Sequence, residues 1–139
     1  MAAKDKFHDV VREALINDNW QITQEQYSIT TADRFDIVID FAAERLIAAE
    51  KDNEKIAVEV KSFLSPSAYY EFHAALGQFL NYREVLEEYD PSRLLYLAVP
   101  EEIYLTLFQR EMVQRVLQRY HVSVIVFNPM SKEILLWKK

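Results

Sequence analysis

The stretch KIAVEVKSF, residues 55 to 63, is the most restrictive segment of the chain. Its isoleucine, alanine, two valines and phenylalanine suit a strand covered on both faces near the centre of a sheet. Glu59 and Lys61 interrupt it two positions apart, and the period of two in a strand aims both side chains at one face. Charged groups are rarely buried unless they are paired, because an unpaired charge inside a protein is strongly destabilising. The segment therefore demands either two charges that satisfy each other or a wet cleft beside an otherwise apolar strand.

The remaining pattern supplies the elements around it. Over residues 4–17, Phe7, Val10, Val11, Ala14 and Leu15 recur at helical spacing and predict an amphipathic helix that ends at the polar NDN. WQITQEQYSIT predicts a strand. RFDIVIDF predicts a second, with Asp36, Val38 and Asp40 on one face and Ile37 and Ile39 on the other. RLIAAE and KIAVEVKSF flank KDNE, whose Asp-Asn pair suits a turn, so this part reads as an antiparallel hairpin.

After SPS, with Ser65 as cap and Pro66 at the first helical position, residues 67–89 read as one long helix stopped by DP. Gly77 is the only breaker inside it and suggests a close approach to the sheet. RLLYLAVP is a strand covered on both faces, EEIYLTLFQREMVQRVLQRY a helix, and HVSVIVF and EILLW two strands joined by a turn at NPMSK. The order αβββαβαββ predicts an α/β fold with a mixed sheet flanked by helices, antiparallel hairpins first and helical crossovers after. At 139 residues, with half of them apolar, residues 1–139 suit one domain.

Composition narrows the chemistry. The single glycine excludes a glycine-rich phosphate loop or dinucleotide fingerprint, and the lack of cysteine excludes disulfides and thiolate metal sites. His8, His73 and His121 lack metal-ligand spacing and read as structural. MAAKDKFHDV lacks the apolar run of a signal peptide and no segment is long enough to span a membrane, so a cytoplasmic protein with no membrane partner is expected. A net charge of −6 opposes phosphate contact, so any DNA binding by the chain alone is expected to be weak.

Within those bounds, Asp36, Glu59, Lys61, Gln78 and Tyr82 form a constellation. A carboxylate on one strand and an acid-x-lysine on the next can hold Mg²⁺ or Mn²⁺ between two acids, since such cations often take only one or two carboxylates and leave the other positions to water and phosphate oxygens. A bound cation would activate water and neutralise phosphate charge, and a lysine beside it can position the water or offset developing charge. Asp40 lies on the same strand face as Asp36 and is the alternative ligand; Glu44 is closer still to the hairpin. The same residues also fit a structural ion pair (Glu59 with Lys61) and an ordinary helical pair (Gln78 with Tyr82).

This arrangement resembles the PD-(D/E)xK nuclease superfamily, whose restriction-endonuclease-like core has the order αβββαβ; here an αββ extension would follow. RFD stands where that superfamily has PD, EVK matches (D/E)xK, and QFLNY matches the QxxxY motif on the next helix. Glu13 corresponds to the acid some members carry on the first helix, where it can join the metal site. More specifically, DRFDIVIDFAAERLIAAEKDNEKIAVEVKSFLSPS, ALGQFLNYR and RLLYLAVPEEIY resemble the cyanobacterial XisH family along nearly the whole chain. That resemblance implies a factor controlling excision of the fdxN DNA element, working with a site-specific recombinase and a second small factor, XisI. Two readings follow: a Mg²⁺-dependent DNA endonuclease, or a non-catalytic accessory module that keeps the nuclease fold and assembles a recombination complex, with a homodimer among the assemblies open to it.

Overall fold

The computed structural model describes residues 5–46 and 53–139, and among them six strands form one mixed sheet in which every strand lies beside its sequence neighbour. Helix α1 (His8–Asn17) leads into an antiparallel meander of β1 (Gln21–Thr30), β2 (Asp36–Leu46) and β3 (Asn53–Val60). Helix α2 (Ala68–Tyr89) then crosses to β4 (Leu94–Pro100), which runs parallel to β3. A second crossover, α3 (Glu101–Leu105), a 3-10 turn (Leu107–Gln109) and α4 (Glu111–Arg119), reaches β5 (Val124–Asn128), parallel to β4. The edge strand β6 (Glu133–Lys138) returns antiparallel to β5. This is the expected restriction-endonuclease-like α/β fold with its αββ extension. No helix among the described residues is long and apolar enough to cross a membrane.

The two faces of the sheet carry separate cores. On one, Val11 and Leu15 of α1 pack with Trp20, Phe41, Val58, Val60, Tyr96 and Phe127. On the other, Phe72, Ala75 and Phe79 of α2 pack with Ile37, Ile39, Ala57, Leu97 and Phe108. Burying each large side chain stabilises the fold by about 1.5–3 kcal/mol. In β3 the alternation puts Val58 and Val60 towards α1 and Ala57 towards α2, so Glu59 and Lys61 share the α2 side.

Several local expectations change. RFDIVIDF and the start of RLIAAE are one uninterrupted strand, β2, rather than two. Residues 47–50 of RLIAAE, Lys51 and Asp52 of the KDNE turn, and Lys4 at the proposed helix start lie outside the described residues. Helix α2 is capped by Ser67, whose hydroxyl accepts the Tyr70 amide at 3.3 Å, and not by Ser65. It stops at Asp90 (φ −151°, ψ 64°), which lies outside the α region disfavoured before Pro91. Gly77 does not mark a close approach: a Cβ placed there meets nothing within 4 Å.

The helix expected over residues 101–120 is broken. Thr106 donates its hydroxyl hydrogen to the Glu102 carbonyl at 2.7 Å, and Arg110 is extended at φ −66°, ψ 139°. Leu107 and Phe108 of the turn are both buried, at 7% and 0% exposure. A 3-10 turn thus joins two short helices where one was expected.

Candidate functional site

The site grows out of a fork in the sheet. The β2–β3 ladder runs from Leu46 opposite Asn53 to Phe41 opposite Val58 and ends there. At the next position side chains replace backbone pairing: the Val60 amide donates to the Asp40 carboxylate (Oδ2) at 2.7 Å, and the Asp40 amide donates to Glu59 (Oε1) at 3.2 Å. The strand changes sides at the same point, Ile39 packing in the α2 core and Phe41 in the α1 core. Asp40 is thereby held at the split, in contact with groups from both strands.

Glu59 is 7% exposed, and its other oxygen lies 3.7 Å from the Lys61 ammonium, which is one-third exposed. Burial and the neighbouring Asp40 charge push the Glu59 carboxyl well above the ordinary carboxylate range, against the pull of Lys61. The acid-x-lysine pair thus does what the strand pattern demanded, with Lys61 at the wet edge and the acid mostly enclosed rather than lining an open cleft.

Helix α2 supplies the third side. Gln78 donates from Nε2 to the Tyr82 hydroxyl at 2.9 Å. Burial and then the Glu59 charge raise the Tyr82 phenol pKa, Gln78 and the Val38 backbone opposing them, while Asp40 adds to the rise. The Gln78 side-chain carbonyl is buried with no hydrogen-bond donor, as is one oxygen of Glu71, about two turns earlier on the helix. An unsatisfied buried acceptor is uncommon and is suited to a cation, a water or an ammonium donor.

Two of the expected residues stand elsewhere. Asp36 accepts a hydrogen bond from the Thr30 hydroxyl at 2.6 Å and is exposed at the start of β2, four residues before Asp40. At about 3.3 Å per residue, that is roughly 13 Å along the strand. The geometry therefore selects Asp40, the alternative, as the acid beside Glu59. Glu13 pairs with Lys132 at 2.8 Å, both side chains about half exposed, at the β5–β6 turn. Glu44 lies 3.6 Å from Arg93, which also donates to the Ala43 and Ile56 carbonyls.

The residue that α1 sends to the fork is His8, 1% exposed and stacked on Phe41 at 4.4 Å. Its Nδ1 is 3.2 Å from Asp40 and its Nε2 is 3.2 Å from Glu25, which also accepts from Arg12 at 3.1 Å. The imidazole thus bridges the two carboxylates at the start of α1. A signal was legible: His8 is three and seven residues before Val11 and Leu15, on the apolar face of the helix. Asp5 joins the same region, its carboxylate accepting the Phe7 and Ser62 amides at 2.9 Å each and tying the start of α1 to the end of β3.

The donor set fits a hard divalent cation: two carboxylates brought together across the fork, each already anchored by a backbone amide, with a lysine and an unsatisfied amide oxygen nearby. Among the described residues, no group of three or more His, Asp or Glu side chains is disposed to hold a metal, so such an ion would depend on water or substrate for its other ligands.

Comparison with known proteins agrees along the length of the chain. Residues 1–135 match the family model described as XisH protein. A crystal structure of an XisH family protein from Nostoc punctiforme PCC 73102 is 42% identical, with a TM-score of 0.88 over 97% of this chain and 100% of that one. A crystal structure of a fdxN element excision controlling factor protein from Anabaena variabilis is 41% identical, with a TM-score of 0.86 over 96% of this chain and 98% of that one. No curated protein matches.

Proposed function

The chain belongs to the XisH family, and on that premise we propose that it is an excision controlling factor in programmed site-specific DNA rearrangement, with a divalent-cation site for phosphodiester hydrolysis at the fork of its sheet. Similarity to the Anabaena variabilis factor over nearly the whole of both chains supports the process. The juxtaposition of Asp40 and Glu59 across the fork, with Lys61 on the same side, carries the chemistry.

Asp40 and Glu59 would hold Mg²⁺ or Mn²⁺. Such an ion, when bound, activates water and offsets phosphate charge. Lys61, at the exposed edge, is placed to stabilise the anionic phosphate, and Tyr82 and Gln78 limit the directions from which a substrate can approach. His8 fixes the orientation of Asp40 through Nδ1 and shields it from the α1 side. In this reading the protein is cytoplasmic, meets DNA weakly by itself because of its charge of −6, and gains DNA contact through an XisI-type small factor and the recombinase.

The same charge, together with the enclosure of Glu59, favours a second reading, an accessory module that assembles the recombination complex without cutting. A strand-cleavage assay with Mg²⁺ or Mn²⁺, with the small partner present and absent, separates the two. Cleavage that Glu59→Ala abolishes supports the first reading. A wild-type chain that cleaves nothing under any of these conditions, yet bridges the recombinase and the small factor, supports the second.

A further inference from the structure

Edge strand β6 has the sequence EILLWK and, among the described residues, pairs with β5 alone, so the row of backbone donors and acceptors on its outer side is unpaired among them. Open edges invite pairing with another chain, and proteins usually blunt them with central charges or proline. Here the four central residues are Ile134, Leu135, Leu136 and Trp137, and the charges stand only at the ends. A bulge adds to this: Val126 faces Leu136 while Phe127 faces Ile134, leaving Leu135 as the extra residue. The bulge lets Ile134 and Trp137 both pack on the α1 core and leaves two consecutive leucines, Leu135 and Leu136, 44% and 39% exposed.

We propose that β6 is a self-recognition edge on which a second copy of this chain docks, the two strands pairing antiparallel about a twofold axis to continue one sheet through both copies. The sequence is self-complementary in that register. Leu135 of each copy lies opposite Leu136 of the other, Ile134 opposite Trp137, and Glu133 opposite Lys138, so each apolar residue meets an apolar one and each terminal charge its opposite. Parallel pairing in register would instead set Glu133 against Glu133 and Lys138 against Lys138. Glu133 and Lys138 are both exposed, the Lys138 ammonium lying 3.5 Å from the Tyr104 hydroxyl, and Lys132, which would face Lys139 at the rim, is already engaged by Glu13 at 2.8 Å. The reading does not depend on any chemistry at the fork.

Sedimentation of the full chain over a concentration series tests it. The wild type is expected to show a monomer–dimer equilibrium. Glu133→Lys alone and Lys138→Glu alone each turn two attractive cross-strand pairs into repulsive ones and are expected to weaken dimerisation by about tenfold or more. Mixed in equal amounts, the two variants regain opposite charges at both ends of the strand and are expected to form a mixed dimer, which also shows that each is folded. A wild type that stays monomeric throughout, single variants that dimerise as well as the wild type, or a mixture no tighter than its components would each overturn the proposal.

Discussion

Val60 donates its amide hydrogen to the Asp40 carboxylate at 2.7 Å, where the ladder between β2 and β3 has ended one position earlier. Asp40→Ala leaves that buried amide without an acceptor and is expected to destabilise the protein by about 1–3 kcal/mol. Asp36→Ala removes a surface contact with Thr30 and is expected to cost less than about 1 kcal/mol. Urea denaturation of both variants measures the difference. Calorimetric titration with Mg²⁺ or Mn²⁺ is expected to lose its signal only for Asp40→Ala, and equal loss for both would return Asp36 to the site.

Lys61 and Glu59 are expected to separate by role. Lys61→Ala removes an ammonium one-third exposed to solvent, so the fold and cation binding should remain while any cleavage disappears. Glu59→Ala should lose both cleavage and cation. Undiminished cleavage by a folded Lys61→Ala protein would remove the lysine from the chemistry.

A functional site that holds a buried carboxylate beside another one stores destabilisation. Glu59→Gln keeps the shape but takes away the charge that burial and Asp40 disfavour, so its melting temperature in chelator should exceed that of the wild type, by about 1 kcal/mol of stability or more. Cation affinity should fall in the same variant. A melting temperature unchanged or lowered would mean that the Lys61 pair already compensates the acid.

Gly77 sits exposed in the middle of α2, with open space where a Cβ would point. Gly77→Ala is expected to raise stability by about 0.5–1 kcal/mol, through helix propensity and a less flexible unfolded chain. Thermal or chemical denaturation reads it directly; destabilisation would show that α2 makes a contact at this position in solution.

Asp90 accepts from the Tyr27 hydroxyl at 2.7 Å and from Arg93 at 2.9 Å. Burial raises its pKa, but those hydrogen bonds and the charges of Arg93 and Lys55 outweigh burial and hold the carboxyl below its ordinary 3.8. A depressed folded-state pKa stabilises above the unfolded value and is lost as the pH falls through the folded one. Asp90→Asn should therefore cost on the order of 1 kcal/mol at neutral pH, with the gap closing below about pH 4 as the wild-type carboxyl takes up its proton. A gap that stayed constant down to pH 2 would assign the loss to geometry alone.

Much of this was legible in the sequence because it is local. The alternation of KIAVEVKSF put Glu59 and Lys61 on one side, the spacing of Gln78 and Tyr82 put them on one helical face, and the apolar run of RLLYLAVP marked a strand buried on both sides. Choosing Asp40 over Asp36 was not local. Both lie on the same face by alternation, and what separates them is where β2 parts from β3, which depends on the register with two neighbouring strands. On α1 an exposed acid, Glu13, matched a motif, while the histidine that reaches the fork sits among apolar residues. The broken helix after β4 was not legible because the segment has no proline or glycine, and the break rests on the Thr106 hydroxyl bonding the Glu102 carbonyl and on an extended Arg110.

The change of sides in β2 has a genetic consequence. Ile39 and Phe41 anchor the same strand in opposite layers, with Asp40 as the pivot between them. Inserting or deleting one residue in a surface turn can be absorbed by the turn, but the same event between Ile39 and Phe41 would put one of these anchors in the wrong layer and swing Asp40 away from Glu59. The lengths of the turns are therefore expected to tolerate change more readily than the spacing from Ile39 to Phe41, where one residue gained or lost would unseat the packing on both faces of the sheet.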